Sequence, residues 1–164
     1  MIRYTRFESP LGTVMAVADE EGITHIDFVD AKYARRIGPD WVEDPKAPVL
    51  RECVKQLSEY YEGKRTAFDL PLSPRGTAFQ MRVWDEIARV PYGKTITYGE
   101  LAKRAGAPEH ARAAGAATGR NPIGVVIPCH RIVGADGSLT GYAGGLERKR
   151  ELLELEGVLQ RSLV

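Results

Sequence analysis

The run Val126-Ile127-Pro128-Cys129-His130-Arg131 puts a thiol directly beside an imidazole, the pairing from which an activated cysteine nucleophile can be built. A thiol attacks as its thiolate, which needs a base or a positive charge nearby. His130 is the base at hand. Neighbouring side chains of an extended segment point to opposite sides, so a direct Cys129–His130 hydrogen bond needs a bend or a bridging water. A buried cysteine beside a structural histidine is the plainer alternative. Glu156 is a further candidate, in the last turn of the final predicted helix. A carboxylate there meets the negative end of the helix dipole at a cost of up to about 1 kcal/mol, offset if a cation such as a histidine pairs with it. A solvated glutamate near Arg148, Lys149 and Arg150 accounts for it equally well. Two cysteines and three histidines without paired spacing predict no metal site and no disulfide framework. Both thiols are expected to be reduced.

The elements that must hold these residues are read from periodicity and punctuation. Val125-Val126-Ile127 predicts a buried strand or extended segment stopped by Pro128. A loop with five glycines follows, from Gly134 to Gly145, and then a helix from Leu146 to Glu156 with Gly157 at its cap. Upstream, Phe79, Val83, Trp84 and Ile87 form the buried stripe of a helix over 79–90. Thr97-Tyr98-Gly99-Glu100 has capping-box form and opens a short helix ending near Gly106. A second begins at about His110 and runs to Thr118. This pair has the proportions of a helix-turn-helix over about 97–118. Its second helix, with Ala111, Ala113, Ala114, Gly115, Ala116 and Ala117, offers almost no side-chain volume, and Arg112 is its one long cation. Such a helix can press against DNA or pack tightly in a core; on composition alone the core reading is favoured.

The first third reads as strands, Thr13–Ala18 and Ile23–Phe28, forming a ribbon or small sheet. Leu50, Cys53, Val54, Leu57 and Tyr61 then mark one face of a helix over 48–61, where Cys53 is a small core hydrophobe. The Pro/Gly/Ser-rich stretch 70–76 predicts a linker. The expected architecture is α+β with two domains, a small α+β domain over 1–74 and a mostly helical one over 75–164. Net charge is +1, from 23 Lys/Arg and 22 Asp/Glu. Residues 1–75 carry 11 basic and 13 acidic side chains (−2), and the remainder 12 and 9 (+3), so a phosphate-binding face fits the second half better. No apolar run approaches a bilayer span, and the N-terminus lacks a signal-peptide core, so no membrane association and a cytoplasmic location are expected.

The run Asn121-Pro122-Ile123-Gly124-Val125-Val126-Ile127-Pro128-Cys129-His130-Arg131-Ile132-Val133, with Tyr92–Tyr98 upstream and Thr140–Gly145 downstream, resembles the active-site signature of the O6-alkylguanine-DNA alkyltransferases. The likeness covers about residues 75–157. A weaker one runs from Ser9-Pro10-Leu11-Gly12 onward and is similar to the bacterial single-function form. The resemblance implies a ribonuclease-H-like N-terminal sheet. It also implies single-turnover transfer of an alkyl group from O6-alkylguanine, and from O4-alkylthymine as an open question, to Cys129. His130 would act on Cys129 through a water, with Glu156 orienting the imidazole. Asn121 would hold the active-site turn, and Tyr98 would donate to the departing guanine. Arg112 would occupy the space of the extruded nucleotide on a helix whose Ala111, Ala113 and Gly115 face DNA. Tyr142, Ala143, Gly144 and Ile132 would line the base pocket. The implied partner is double-stranded DNA carrying O6-alkylguanine, bound by a monomer, with cooperative assembly an open question; no cofactor and no metal are implied. Two other classes compete: alkyltransferase-like binding modules, which lack the cysteine, and a Cys-His hydrolase, which would turn over.

Overall fold

Strand β1 (Arg3–Ser9) keeps Arg3, Arg6 and Glu8 in solvent while Tyr4 and Thr5 are buried. It pairs antiparallel with β2 (Gly12–Ala18), which pairs antiparallel with β3 (Ile23–Phe28). A two-residue β4 (Val42–Glu43) runs parallel to β1, giving the order β3-β2-β1-β4. The sheet is therefore larger than the two sequence-predicted strands. In β2 every residue from Val14 to Ala18 is buried, which fits a strand covered on both faces. Helix α1 (Pro48–Tyr61) covers part of this sheet, packing against β1 and β2. Its Leu50, Cys53, Leu57 and Tyr60 are fully buried, and each large apolar side chain so buried contributes roughly 1.5–3 kcal/mol.

This computed structural model describes residues 1–160. The chain folds as two compact units. The first is Met1–Arg75 with Pro122–Gly124; the second is Gly76–Asn121 with the chain from Val125 onward. Within the first, the proline-rich stretch read as a linker is tied to β3: Ile23 N–H donates to Pro71 O at 2.8 Å and Ser73 N–H to Ile23 O at 2.7 Å. Gly22 sits at φ +150°, and a Cβ there would lie 2.6 Å from Pro71 O, so only glycine lets the two backbones approach this closely. Ile26 is held in the same way from far along the chain. Its N–H donates to Pro122 O, and Gly124 N–H donates to its carbonyl, both at 2.9 Å.

The second unit is mostly helical. Helix α2 (Ala78–Ala88) starts with a full capping box, Thr77 and Gln80 each accepting from the other's backbone N–H. Helix α3 (Tyr98–Arg104) uses Thr97 as its N-cap, but Glu100 pairs with Arg104 instead of closing the box. Helix α4 (Ala111–Gly119) follows, then α5 (Leu146–Leu155). The strand expected at Val125–Ile127 is not there. Those residues lie in a turn, with Val125 at φ +68°, an uncommon conformation for a β-branched side chain. The strand of this region comes after the cysteine: β6 (Ile132–Val133) pairs parallel with β5 (Ile96–Thr97). Among the described residues no helix is long and apolar enough to cross a membrane.

Candidate active site

Cys129–Arg131 forms a single 3-10 turn, not an extended segment. Its side chains therefore fan out by about a third of a turn each, and neighbours still diverge. Cys129 is 8% exposed, His130 not at all. Asn121 Nδ2 donates to Ile127 O at 2.7 Å, bracing the chain just before the turn.

Below the thiol lies a buried ionic network. Glu156, the C-cap residue of α5, accepts from His130 Nε2 at 2.7 Å. Arg131 grips the same carboxylate with Nε and Nη2, at 2.8 and 2.9 Å, while its Nη1 donates to Val90 O at 2.7 Å. Gly93 N–H also donates to Glu156, at 3.2 Å. Burial lowers the pKa of His130, against the opposing pull of Glu156, so the ring rests neutral. An ionised carboxylate only accepts, which places the single ring proton on Nε2 and leaves Nδ1 with a lone pair. Nδ1 is buried with no hydrogen-bond partner among the described residues. A buried polar atom of this kind calls for a water or a reactant, and here it is the basic one.

Two arrangements in this site were not singled out from sequence. Arg131 is one: the cation that offsets the helix-end cost at Glu156 is this guanidinium ahead of His130. Lys149 on α5 is the other. It is wholly buried, and its Nζ donates to Ile132 O at 2.5 Å, Thr140 O at 2.9 Å and Gly141 O at 3.3 Å. Burial lowers its pKa to about 8, while a thiolate at Cys129 would favour its cationic form. A shared signal existed. Lys149, Leu152, Leu153 and Glu156 are spaced i, i+3, i+4, i+7, so both charged residues lie on the buried stripe of α5.

Tyr98, the first residue of α3, is half-buried, and burial raises its pKa, so it remains a phenol. Its hydroxyl donates to Thr140 O at 2.9 Å; that proton is engaged by the glycine-rich loop. Tyr142, Ala143 and Gly144 of the loop are half-buried. Ile132 is fully buried in β6, and its carbonyl accepts from Lys149 Nζ. Helix α4 buries Ala114, Ala117 and Thr118, with Trp84 Nε1 donating to Ala117 O at 2.8 Å. Ala111, Arg112, Ala113 and Ala116 are exposed and Gly115 is half-buried facing Tyr98. The bare face is thus not consumed by the core. Cys53 is sealed, its thiol pushed up to about 12 by burial. Among the described residues no three His, Cys, Asp or Glu side chains converge as metal ligands.

The family model for the 6-O-methylguanine DNA methyltransferase DNA binding domain matches residues 78–158, and that for the same protein's ribonuclease-like domain matches residues 2–74. The chain belongs to the 6-O-methylguanine DNA methyltransferase family. Within that family it is 46% identical to the methylated-DNA–protein-cysteine methyltransferase of Methanosarcina acetivorans, over 94% of this chain and 97% of the relative. It is also 46% identical to the Mycolicibacterium paratuberculosis protein of that name, over 95% and 93%. Mycobacterium tuberculosis OGT, solved in complex with DNA, superposes with a TM-score of 0.87 at 44% identity, covering 94% of this chain and 92% of that one. The α+β two-domain architecture is that of the 6-O-methylguanine DNA methyltransferase fold.

Proposed function

We propose that this protein is a single-turnover DNA repair methyltransferase that moves the alkyl group of O6-alkylguanine in DNA onto Cys129. The observation that carries this reading is the buried Nδ1 of His130, one position after Cys129 and without a hydrogen-bond partner among the described residues, with Nε2 tied to Glu156. His130 Nδ1 takes the thiol proton through a water, because side chains of a 3-10 turn diverge. Glu156 steadies the imidazolium that results. Sγ attacks the alkyl carbon in line; the S–C bond forms, the C–O6 bond breaks, and its electron pair leaves with the guanine. Tyr98 donates to that leaving group once its hydroxyl lets go of Thr140. The thioether does not hydrolyse, so each molecule acts once.

The target atom is enclosed in a duplex, so the nucleotide must be extruded. The exposed face of α4, bare except for Arg112, supports DNA contact there, with Ala111 and Ala113 allowing close approach, Gly115 making room for Tyr98 behind them, and Arg112 filling the vacated space. Tyr142, Ala143 and Gly144 border the base. The partner is double-stranded DNA carrying the lesion, the working form a monomer and the location cytoplasmic, without cofactor or metal.

Intact mass after mixing with an O6-methylguanine duplex tests this. The expected result is a gain of one methyl on the peptide containing Cys129, none on Cys53, and a plateau at one equivalent per protein. Continued turnover, or a methyl elsewhere, would overturn the reading.

A further inference from the structure

One short stretch of chain, residues 90–93, meets the network around His130 from several sides. Val90 O accepts from Arg131 Nη1 at 2.7 Å, and the Arg131 guanidinium carbon lies over the Tyr92 ring, 5.7 Å from its centroid. Tyr92 Oη donates to Leu155 O at 3.3 Å, and Gly93 N–H donates to Glu156 Oε1 at 3.2 Å. We propose that Tyr92 is a positioning residue for the transfer, holding Arg131 and the end of α5 together so that Glu156 keeps the His130 ring aimed. This rests on the transfer reading above and deepens it.

Both oxygens of Glu156 are doubly occupied. Oε1 accepts from Arg131 Nε and Gly93 N–H, and Oε2 accepts from His130 Nε2 and Arg131 Nη2. Such a carboxylate cannot turn without breaking a bond, so the imidazole tied to it is fixed in direction. Arg131 supplies two of those donors, and its hydrogen bonds run along the edge of a planar group. They restrain it within that plane. An aromatic face restrains the remaining direction, and Tyr92 provides one. Its hydroxyl acts at the other partner: Leu155 is the last residue of α5, where carbonyls have no acceptor role inside the helix, and Glu156 follows as the C-cap. One side chain therefore pins both the cation and the helix end that carries its counter-charge. The electrical consequence reaches His130. Burial, and after it Arg131 and Lys149, hold its pKa down, while Glu156 pulls the other way. With Arg131 displaced, the pull of Glu156 gains, and the ring keeps its proton to higher pH, where it cannot serve as a base.

Single-turnover transfer from O6-methylguanine duplex, followed across the pH range for wild type, Tyr92→Leu and Tyr92→Phe, tests this. Tyr92→Leu keeps an apolar side chain but no aromatic face. It is expected to slow transfer at saturating DNA about tenfold at neutral pH, the scale on which small misplacements near a reacting centre tell. Its half-saturating DNA concentration should move less than about threefold, and the acid limb of its pH profile should lie about half a pH unit above that of wild type. Tyr92→Phe, which keeps the ring and loses the hydroxyl contact, should slow transfer only about threefold, with the acid limb where wild type has it. A Tyr92→Leu protein as fast as wild type, one slowed with its acid limb unmoved, or a loss confined to half-saturation would overturn the proposal while leaving Cys129 transfer intact. So would a Tyr92→Phe protein as impaired as Tyr92→Leu. A wild-type protein without the Cys129 adduct would overturn both. If Tyr92→Leu does not fold, Tyr92→Met enters the same comparison with the same outcomes.

Discussion

Arg131 and Glu156 meet through two parallel hydrogen bonds in a site where neither side chain is more than 7% exposed. His130 Nε2 donates to the same carboxylate at 2.7 Å. Burial is the main cause that holds His130 below its ordinary value, and the neighbouring Arg131 charge works in the same direction against the pull of Glu156, so the ring rests neutral.

Removing the charge of Glu156 should therefore cost more than the histidine contact. In Glu156→Gln, Arg131 becomes a buried guanidinium without a counter-charge, a loss of about 3–5 kcal/mol. Urea unfolding of the variant checks this, and a midpoint equal to that of wild type would mean the pair is not buried in solution.

Acid should weaken the fold through His130. Its pKa is lowered in the folded state by burial, so below the ordinary value of about 6.5 the unfolded chain takes up a proton that the folded one refuses. The contribution is full above about pH 6.5 and is lost as pH falls toward the folded pKa. Between pH 6.5 and 5.5 wild type should lose up to about 1 kcal/mol more than His130→Asn, the slope being about 1.4 kcal/mol per pH unit at most. Parallel pH profiles for the two proteins would contradict the neutral resting ring.

Arg112 is exposed on α4, whereas Arg131 and Glu156 are buried. Arg112→Ala is expected to slow repair of duplex at least tenfold while changing reaction with free O6-benzylguanine less than twofold. Equal losses on the two substrates would remove it from nucleotide extrusion.

The bare face of α4 gives a second, independent reading of DNA contact. Ala113 is exposed, and leucine is nearly as good a helix former as alanine, so Ala113→Leu should leave thermal stability unchanged. Binding to duplex should weaken about tenfold, because the added volume holds the helix away from the phosphates. Fluorescence anisotropy with labelled duplex decides it; unchanged affinity would place DNA elsewhere.

The helices were the legible part of the fold. Pro48, Thr97 and Gly157 mark helix ends, and the apolar stripes of α1 and α2 repeat at helical spacing, so local chemistry and packing agree there. Strand β1 escaped notice because Arg3, Arg6 and Glu8 are outward charges that hide its inward residues. Val125-Val126-Ile127 misled for the opposite reason: β-branched residues suggest a strand, and nothing local announces the left-handed turn at Val125. In the site, the motif around Cys129 carried its own chemistry. Lys149 did not, since Glu147-Arg148-Lys149-Arg150-Glu151 looks like a solvated charge run until its register with Leu152 and Leu153 is counted.

Residues Pro122–Gly124 belong with the first unit, although 121 and 125 on either side belong with the second. The polypeptide therefore changes unit at 75/76, at 121/122 and again at 124/125. A fragment begun at Gly76 would carry those three residues away from Ile26, exposing the Gly124 N–H and the Pro122 carbonyl that the intact chain pairs. The C-terminal half is thus a poor candidate for a portable module: a shortened gene, a fusion partner or a proteolytic nick at the linker would each sever a connection that a single cut in the sequence does not reveal.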